Sequence, residues 1–318
     1  MLCIISEETS ATFNLAAEEY LFRNFEEDIF FLYRNEPAVV LGKHQNAMAE
    51  VNPMYVNKNN VHVVRRLSGG GAVYHDLGNL NFSFHQTVPD TSKVSFRKFN
   101  EPIVELLRSI GVDAQISKRN DIFIHEFKVS GHAQHVFRNR ILSHGTLLFS
   151  ADKNNLSLAL KNNSGTFTGK AIQSVRSKVA NIADFLPKPM AIGEFENILL
   201  QYILQLNSGN NLYVFSVNDL KHIQQLKQEK YDTWEWNYGY SPNYCFEKQT
   251  QEHSISVEVE KGKIKNIEIV SESLSVKLIS QLKALLTGTC HSIEQLEGKI
   301  NSLTIEQSKT RELVELFF

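Results

Sequence analysis

Cysteine is scarce in this sequence of 318 residues. The chain has three cysteines, Cys3, Cys245 and Cys290, with neither the CxxC spacing of a metal or redox site nor the density of a disulfide scaffold. The histidines are scattered, without an HExxH motif or a His/Cys cluster, so the sequence predicts no structural transition metal. We therefore expect a protein of a reducing compartment.

Long apolar runs are also missing. No run approaches the ~20 residues of a transmembrane helix. The first residues, Met-Leu-Cys-Ile-Ile-Ser-Glu-Glu, turn acidic too early for a signal peptide. We expect a cytoplasmic protein with no membrane partner.

The sequence also lacks a strong net charge of either sign. Lysine and arginine number 33 against 35 aspartates and glutamates, for a net charge of −2. Such a balance produces no global basic field, which argues against a nucleic-acid partner. Any site for an anion must therefore be local.

A glycine-rich segment dominates what is present. Gly69, Gly70 and Gly71 follow Arg65, Arg66 and Ser68. Three consecutive glycines indicate a sharp bend or a close approach to a ligand, and the neighbouring guanidinium, hydroxyl and backbone N–H groups suit a phosphate or carboxylate. A Walker-type loop is excluded because apolar residues typical of a strand follow Gly71. Taken alone, the glycines fit an ordinary hairpin equally well.

Hydrophobic periodicity predicts an α+β protein with two domains. Helices are expected at 13–25 with Thr12 as the cap, at about 97–110, at 195–206 and at 218–230, with short strands between them forming a mixed sheet. Residues 162–178 lack periodicity and are expected to be a long mobile loop. After about residue 247 the pattern resets to strands and then helices. We predict a domain at 1–246 and a small α+β domain at 247–318.

A second cluster of polar residues lies at 119–134. Lys128 stands between apolar neighbours on a predicted strand, where its charge would act strongly on a phosphoryl or carbonyl oxygen. A lysine that points to solvent from an edge strand is an equally good interpretation of this cluster alone. Asp121 is the carboxylate best placed for Mg²⁺, although a turn-stabilising aspartate is the commoner case.

Together the two clusters resemble the lipoate–protein ligase A family, which is related to the biotin–protein ligases. The resemblance runs nearly end to end. It rests on Arg65-Arg66-x-Ser68-Gly69-Gly70-Gly71-Ala72-Val73-Tyr74-His75-Asp76-x-Gly78-Asn79, on Lys128-Val129-Ser130-Gly131-x-Ala133, and on shorter matches at 14–19, 42–46, 119–121, 144–148, 174–177 and 233–236. The small C-terminal domain is similar to that of the bacterial two-domain ligases.

This resemblance implies a two-step reaction. The lipoate carboxylate attacks the α-phosphate of Mg-ATP to give lipoyl-AMP and pyrophosphate, and a lysine of an acceptor lipoyl domain then takes the lipoyl group and releases AMP. The acceptors implied are the E2 subunits of 2-oxoacid dehydrogenases and the glycine cleavage H protein. The family further implies ATP and Mg²⁺ as requirements and a role in lipoate salvage. We also expect a monomer.

The resemblance also assigns residues. ATP and the adenylate are expected at Arg66, Gly71, Ala72, Val73, Tyr74 and Lys128; lipoate at Ser68, Gly70, Gly71, His75 and Lys128; and the catalytic role at Lys128. Asp121 is the candidate for Mg²⁺. Leu15, Val73, His75 and Phe82 are candidates for lining an apolar tunnel for the dithiolane tail.

Two other functions stay open. A lipoyltransferase that uses preformed lipoyl-AMP would share both motifs, although the loop at 174–177 favours the full ligase. A non-catalytic module that binds lipoate or adenylate would not need a cation at the reacting centre. An octanoyltransferase acting through a cysteine thioester is disfavoured because no cysteine lies between Cys3 and Cys245.

Overall fold

The computed structural model describes residues 1–160, 165–175, 177–303 and 307–318. Among these residues the helices are α1 Ala11–Asn24, α2 Ala47–Glu50, α3 Pro53–Lys58, α4 Glu101–Ser109, α5 Lys153–Ala159, α6 Ile192–Gln205, α7 Val217–Leu226, α8 Val276–Leu286, α9 Ile293–Ile300 and α10 Gln307–Glu315. No helix of this part of the chain is both long enough and apolar enough to cross a membrane.

The strands of the described ranges form four sheets. They are β1 Leu2–Ile5, β2 Ile29–Arg34, β3 Ala38–Leu41, β4 His62–Arg65, β5 Val73–His75, β6 Asn79–Thr87, β7 Ala114–Ile116, β8 Ile122–Ile124, β9 Phe127–Ser130, β10 His132–Phe137, β11 Arg140–Leu148, β12 Thr166–Gly169, β13 Asn211–Leu212, β14 Tyr244–Gln249, β15 His253–Glu260 and β16 Lys263–Ser271. Strands and helices are mixed, which confirms the predicted α+β class.

The largest sheet has the order β10-β11-β6-β2-β1-β13 and is covered on both faces. Along β6 the side chains alternate. Leu80, Phe82 and Phe84 pack into an apolar core with α4 and α6. The other face of β6 carries Asn79, Asn81, Ser83 and His85, which are also buried. Because α1 covers this polar face, a buried polar layer lies between the helix and the sheet.

A second sheet, in the order β4-β3-β5, carries the glycine-rich loop. Strand β3 is parallel to β4 and antiparallel to β5, so the chain must cross the end of β3 between them. At this crossing the backbone N–H of Lys43 donates to Ser68 O at 2.8 Å. The loop therefore joins two strands that are not neighbours, which excludes the simple hairpin.

Lys128 lies on β9, in a three-stranded sheet ordered β7-β8-β9. Residues 178–180 run beside it: the N–H of Lys128 donates to Lys178 O at 2.9 Å, and the N–H of Ala180 donates to Lys128 O at 3.3 Å. With a neighbour on each side, β9 is not an open edge, and the lysine has a fixed backbone.

The C-terminal part has its own sheet, in the order β12-β14-β15-β16, and an apolar core shared with α8, α9 and α10. Strand β14 runs across the predicted boundary at 246/247, and β12 comes from residues 166–169. Asn57 Nδ2 also donates to Glu294 Oε1 at 2.8 Å, which ties α3 to α9. The division into domains at 1–246 and 247–318 stays a prediction.

Two local predictions were wrong. The helix predicted from residue 13 begins at Ala11 because Ser10, not Thr12, caps it: the N–H of Phe13 donates to Ser10 Oγ at 3.4 Å. The loop predicted at 162–178 contains a strand at 166–169, paired with β14. Positions 162–164 and 176 of that loop lie outside the described residues.

Candidate active site

The glycine-rich loop and the Lys128 cluster open into one cavity of about 380 Å³. Its outer part is lined by Arg119, Asp121, Lys128 and residues 172–175. Its inner part lies between α1 and the large sheet and is lined by buried side chains, namely Leu15, Tyr33, Val40, His75 and Asn81. The two motifs found in the sequence therefore belong to one site with a charged outer part and a buried inner part.

Lys128 supplies a cation to the outer part. Its Nζ lies 3.0 Å from Asp121 Oδ1, and both side chains are partly exposed to the cavity. Gly131 stands beside the lysine, and a Cβ built there would lie 3.5 Å from Nζ. The ammonium has three donors, so the contact with Asp121 leaves others free for an oxyanion.

Arg66 is buried and its guanidinium is largely occupied within the protein. It donates to Ser68 Oγ at 2.9 Å, to Val40 O at 3.0 Å, and to the carbonyls of Gly69 and Gly71 at 2.6 and 2.9 Å. Burial lowers the pKa of Arg66 to about 10. In this structure Arg66 fixes the shape of the glycine-rich loop by holding two of its carbonyls.

Ser68 connects Arg66 to a buried histidine and glutamate. Ser68 Oγ lies 2.6 Å from His144 Nε2, and His144 Nδ1 lies 2.8 Å from Glu18 Oε2. All four side chains are buried. The carboxylate and the guanidinium are thus the two ends of one hydrogen-bonded chain, which places a counter-charge beside Arg66 without direct contact.

The glycines of this region are required for different reasons. A Cβ at Gly42 would lie 2.0 Å from Gly70 O, and one at Gly71 would lie 2.9 Å from Ser174 Oγ. Gly70 has φ of +89°, in the left-handed region that favours glycine. Gly69 has open space around its Cβ position. Close packing of the crossing loop explains Gly42 and Gly71, and backbone conformation explains Gly70.

Ser174 holds the segment 171–175 against the glycine-rich loop. Its Oγ accepts from the N–H of Ala72 at 2.9 Å and from Gln45 Nε2 at 3.0 Å, and it donates to Glu50 Oε2 at 2.5 Å. Backbone contacts help to hold the segment, since the N–H of Ile172 donates to His44 O at 3.3 Å and the N–H of Ser174 donates to Glu50 Oε1 at 3.2 Å. The N–H of Ala72 is one of the backbone donors predicted to bind phosphate.

Most of the predicted site residues line the cavity. Those that do are Arg66, Gly70, Gly71, Ala72, Val73, His75, Asp121 and Lys128. Ser68 lies behind the loop. Tyr74 pairs with Val39 and packs into a separate apolar cluster. Phe82, a candidate for the tunnel, instead belongs to the core on the opposite face of the sheet.

No role could be predicted from the sequence for Glu18, His144, Gln45, Glu50 or Ser174. Glu18 and His144 are 126 residues apart, so no local pattern could have paired them. Their only signal was that each occurs in a segment that resembles the ligase family.

No cluster of three or more histidine, cysteine, aspartate or glutamate side chains that could hold a metal ion occurs within the described residues. The three cysteines are all among these residues and none of them lines the cavity. The cavity thus offers at most a single carboxylate, Asp121, to a metal ion, together with whatever a bound substrate brings.

Comparison with known proteins agrees with this site. The family model for the lipoyl protein ligase A/B catalytic domain matches residues 10–204, and that for the bacterial lipoate protein ligase C-terminus matches residues 252–317. Lipoate–protein ligase 1 of Staphylococcus aureus is 42% identical, covering 92% of this chain and 91% of its own length. A lipoate–protein ligase of Bacillus subtilis is also 42% identical, over 86% of each chain.

Solved structures give the same result. A lipoate protein ligase of the archaeon Thermoplasma acidophilum, solved with bound lipoic acid, has a TM-score of 0.65 at 30% identity and covers 75% of this chain and 98% of its own. A bipartite lipoate protein ligase studied with its E2 lipoyl domain, from the same archaeon, has a TM-score of 0.65 at 30% identity, covering 75% of this chain and 96% of its own. A lipoate–protein ligase A bound with ATP has a TM-score of 0.64 at 31% identity, and the match covers 75% of this chain and 98% of its own.

Fold, site and relatives define an enzyme of the ligase class with a biotin/lipoate ligase-like fold. The chain belongs to the lipoate–protein ligase A family, and its function is to join lipoate to protein.

Proposed function

We propose that this one cavity carries out both steps of ATP-dependent lipoylation. In the first step a lipoate carboxylate oxygen attacks the α-phosphorus of ATP, the bond to pyrophosphate breaks, and lipoyl-AMP forms. In the second step the amine of an acceptor lysine attacks the acyl carbon, AMP leaves, and the amine loses its proton as the amide forms. The single observation that carries the proposal is that the cation of Lys128 and the buried side chains of the inner part line one and the same cavity.

Lys128 is the residue to which we assign the catalytic role. The α-phosphate and the acyl carbonyl are joined by one oxygen in lipoyl-AMP, so a single ammonium can donate to both groups. Negative charge grows on the phosphoryl oxygens in the first step and on the carbonyl oxygen in the second. Asp121, at 3.0 Å, orients the lysine between them.

The nucleotide is assigned to the outer part. The backbone of Gly71, Ala72, Val73 and Tyr74 together with Arg66 would bind the phosphates, as their match to the family pattern implies. In this structure Arg66 donates to carbonyls of the glycine-rich loop, so its main contribution to phosphate binding is to hold that loop in shape. The N–H of Ala72 already donates to Ser174 Oγ. Binding of a phosphate to that N–H therefore requires Ser174 to move away.

Lipoate is assigned to the inner part, with its carboxylate at Lys128. Gly70, Gly71 and His75 line this path, and Ser68 supports it from behind the loop. The relative with bound lipoic acid and the relative bound with ATP support the assignment of both substrates to this fold.

Asp121 is the residue that would hold Mg²⁺. Because Mg²⁺ commonly binds one or two carboxylates together with substrate phosphates, a lone carboxylate at the cavity fits it. The ion would neutralise phosphate charge when bound. Asp121 would then be shared between the metal ion and Lys128.

The acceptors we propose are lipoyl domains of E2 subunits and the glycine cleavage H protein. The archaeal relative studied with its E2 lipoyl domain supports the first of these. A cytoplasmic location and a monomeric state remain predictions from the sequence. Light scattering on the purified chain tests the latter.

Mass spectrometry of an apo lipoyl domain tests the proposal. One reaction contains this protein, Mg-ATP and lipoate, and a parallel reaction contains synthetic lipoyl-AMP in place of ATP and lipoate. We expect the mass of one lipoyl group to be added in both. A gain with lipoyl-AMP alone would make the protein a lipoyltransferase, and no gain in either, with the acceptor shown active by a control ligase, would leave a binding module.

A further inference from the structure

A chain of side-chain amides fixes the orientation of one cavity histidine. It begins at Asn14 on α1, whose Nδ2 donates to the carbonyl oxygens of Glu8 at 2.8 Å and Arg34 at 3.2 Å. A carbonyl oxygen only accepts hydrogen bonds, so the nitrogen of the Asn14 amide must be the atom on this side. Nδ2 also lies 2.9 Å from Asn35 Oδ1, which therefore accepts.

Asn35 passes this orientation on to His75. Because its oxygen faces Asn14, its nitrogen faces His75 Nδ1, at 2.9 Å. An amide nitrogen only donates, so Nδ1 is the acceptor of this contact. Burial lowers the pKa of His75 to about 3, aided by the charge of Arg66, and the ring is neutral. Its one proton must then be on Nε2.

The Nε2–H of His75 has no partner among the described residues. The His75 ring lines the cavity, whereas Asn35, which contacts the Nδ1 edge of the ring, does not line it. The neighbouring inner side chains are either apolar, as in Leu15, Val40 and Val73, or already bonded. Asn81 Nδ2 donates to Tyr33 O at 3.3 Å, and Asn81 Oδ1 accepts from Asn79 Nδ2 at 2.8 Å. The inner cavity thus contains a buried, unpaired N–H donor.

We propose that His75 determines acyl specificity, by donating a hydrogen bond from Nε2–H to a sulfur of the dithiolane ring. This rests on the proposed function, in which the carboxylate is held at Lys128 and the tail enters the inner part. Beyond its carboxylate, lipoate has no acceptor other than its sulfurs, which accept weakly. A straight-chain acid such as octanoate leaves the donor unpaired in a buried site, and sites of this kind discriminate against the analogue that lacks the partner.

Two substitutions separate the donor from the rest of the ring. His75→Gln places an amide N–H near the position of Nε2 and so keeps the donor. His75→Asn places its shorter amide near the position of Nδ1 and so removes the donor at Nε2. We measure kcat/KM for lipoate and for octanoate with each variant. His75→Asn should lower the lipoate-to-octanoate ratio by about 3- to 10-fold, and His75→Gln should keep it within about twofold of the wild type.

Val73→Ala is the matched control, since it enlarges the same cavity without changing a donor. It should change kcat/KM for both acids in parallel. The proposal would be overturned by an unchanged lipoate-to-octanoate ratio in His75→Asn, or by a ratio in His75→Gln that falls as far as it does in His75→Asn.

¹⁵N NMR of the wild-type protein with labelled histidines tests the proposal without any variant, and so does not depend on whether a variant folds. The resonances of His75 should show the proton on Nε2, and that N–H should shift with lipoate and much less with octanoate. A proton on Nδ1, or equal responses to the two acids, would overturn the proposal. If the wild type ligates neither acid, the proposed function fails, and the NMR experiment still reports on the donor.

Discussion

Lys128 Nζ and Asp121 Oδ1 are 3.0 Å apart at the opening of the cavity, and each side chain is held by a short strand or turn of the β7-β8-β9 sheet. Lys178 Nζ and Glu126 Oε2 are also 3.0 Å apart, but the side chains of that second pair are exposed. Exposed pairs contribute little to stability, because water and salt screen them. The two pairs therefore provide a test and its control.

Asp121→Asn should lower kcat/KM for lipoate ligation by at least about tenfold. Without the carboxylate that orients it, the Lys128 ammonium loses its alignment with the reacting oxygens. The control Glu126→Gln should leave it unchanged. Titration with Mg²⁺ separates the two roles of Asp121: a higher Mg²⁺ requirement indicates metal binding, and an unchanged one indicates positioning of Lys128 alone. A fully active Asp121→Asn would contradict both roles.

Gly42→Ala should destabilise the protein strongly, whereas Gly69→Ala should not. The new methyl at position 42 would lie 2.0 Å from Gly70 O, while position 69 has open space. Overpacking of this kind costs about 1–3 kcal/mol or more, against within about 0.5 kcal/mol for an open position. Urea unfolding of the two variants measures the difference. Equal stabilities would contradict the close approach of Gly42 to Gly70 O.

Ser68→Ala should lower the free energy of unfolding by about 1–3 kcal/mol and reduce activity. The substitution leaves both Arg66 Nε and His144 Nε2 without their partner in a buried position. Ser92→Ala, at an exposed serine, is the control and should change neither property. Unfolding by urea together with ligation kinetics provides both readouts, and a Ser68→Ala protein of normal stability would mean that the buried chain is not formed.

Acid should destabilise the protein through His75. The pKa of this histidine is lowered from 6.5 to about 3 by burial, so the unfolded chain binds more protons between these values. The contribution is complete above pH 6.5 and is lost as the pH falls toward 3. At about 1.36 kcal/mol per pH unit, the loss from this one residue between pH 6.5 and 5 is about 2 kcal/mol. Urea unfolding at pH 7 and pH 5 should show a fall that is smaller by this amount in His75→Gln; an equal fall in both proteins would contradict burial of a neutral ring.

Much of the site could be predicted from the sequence because its parts are contiguous. The glycine-rich loop and the segment around Lys128 each carry their chemistry within a few residues, and the resemblance of both to one family indicated that they belong together. Polar and apolar residues alternate along β6 as is typical of a strand. This alternation did not indicate which face meets the cavity, because both faces are buried, and Phe82 was assigned to the wrong one.

Contacts between distant segments could not be predicted in this way. Glu18 meets His144 across 126 residues, and Gln45 meets Ser174 across 129. Strand β12 depends on pairing with β14, since its own residues lack a strand pattern and 166–169 is mostly exposed. Register and packing decide these features, and periodicity carries no information about them.

In the mechanism proposed above, Lys128 acts in both steps. Lys128→Gln removes the charge and keeps a polar side chain of similar size. Two half-reactions are measured: lipoate-dependent exchange of pyrophosphate into ATP, and transfer from synthetic lipoyl-AMP to an apo lipoyl domain. We predict that both rates fall by at least about a hundredfold, while the variant keeps the unfolding midpoint of the wild type within experimental error. Loss of one half-reaction alone, or of neither, would contradict the assignment of a single cation to both steps.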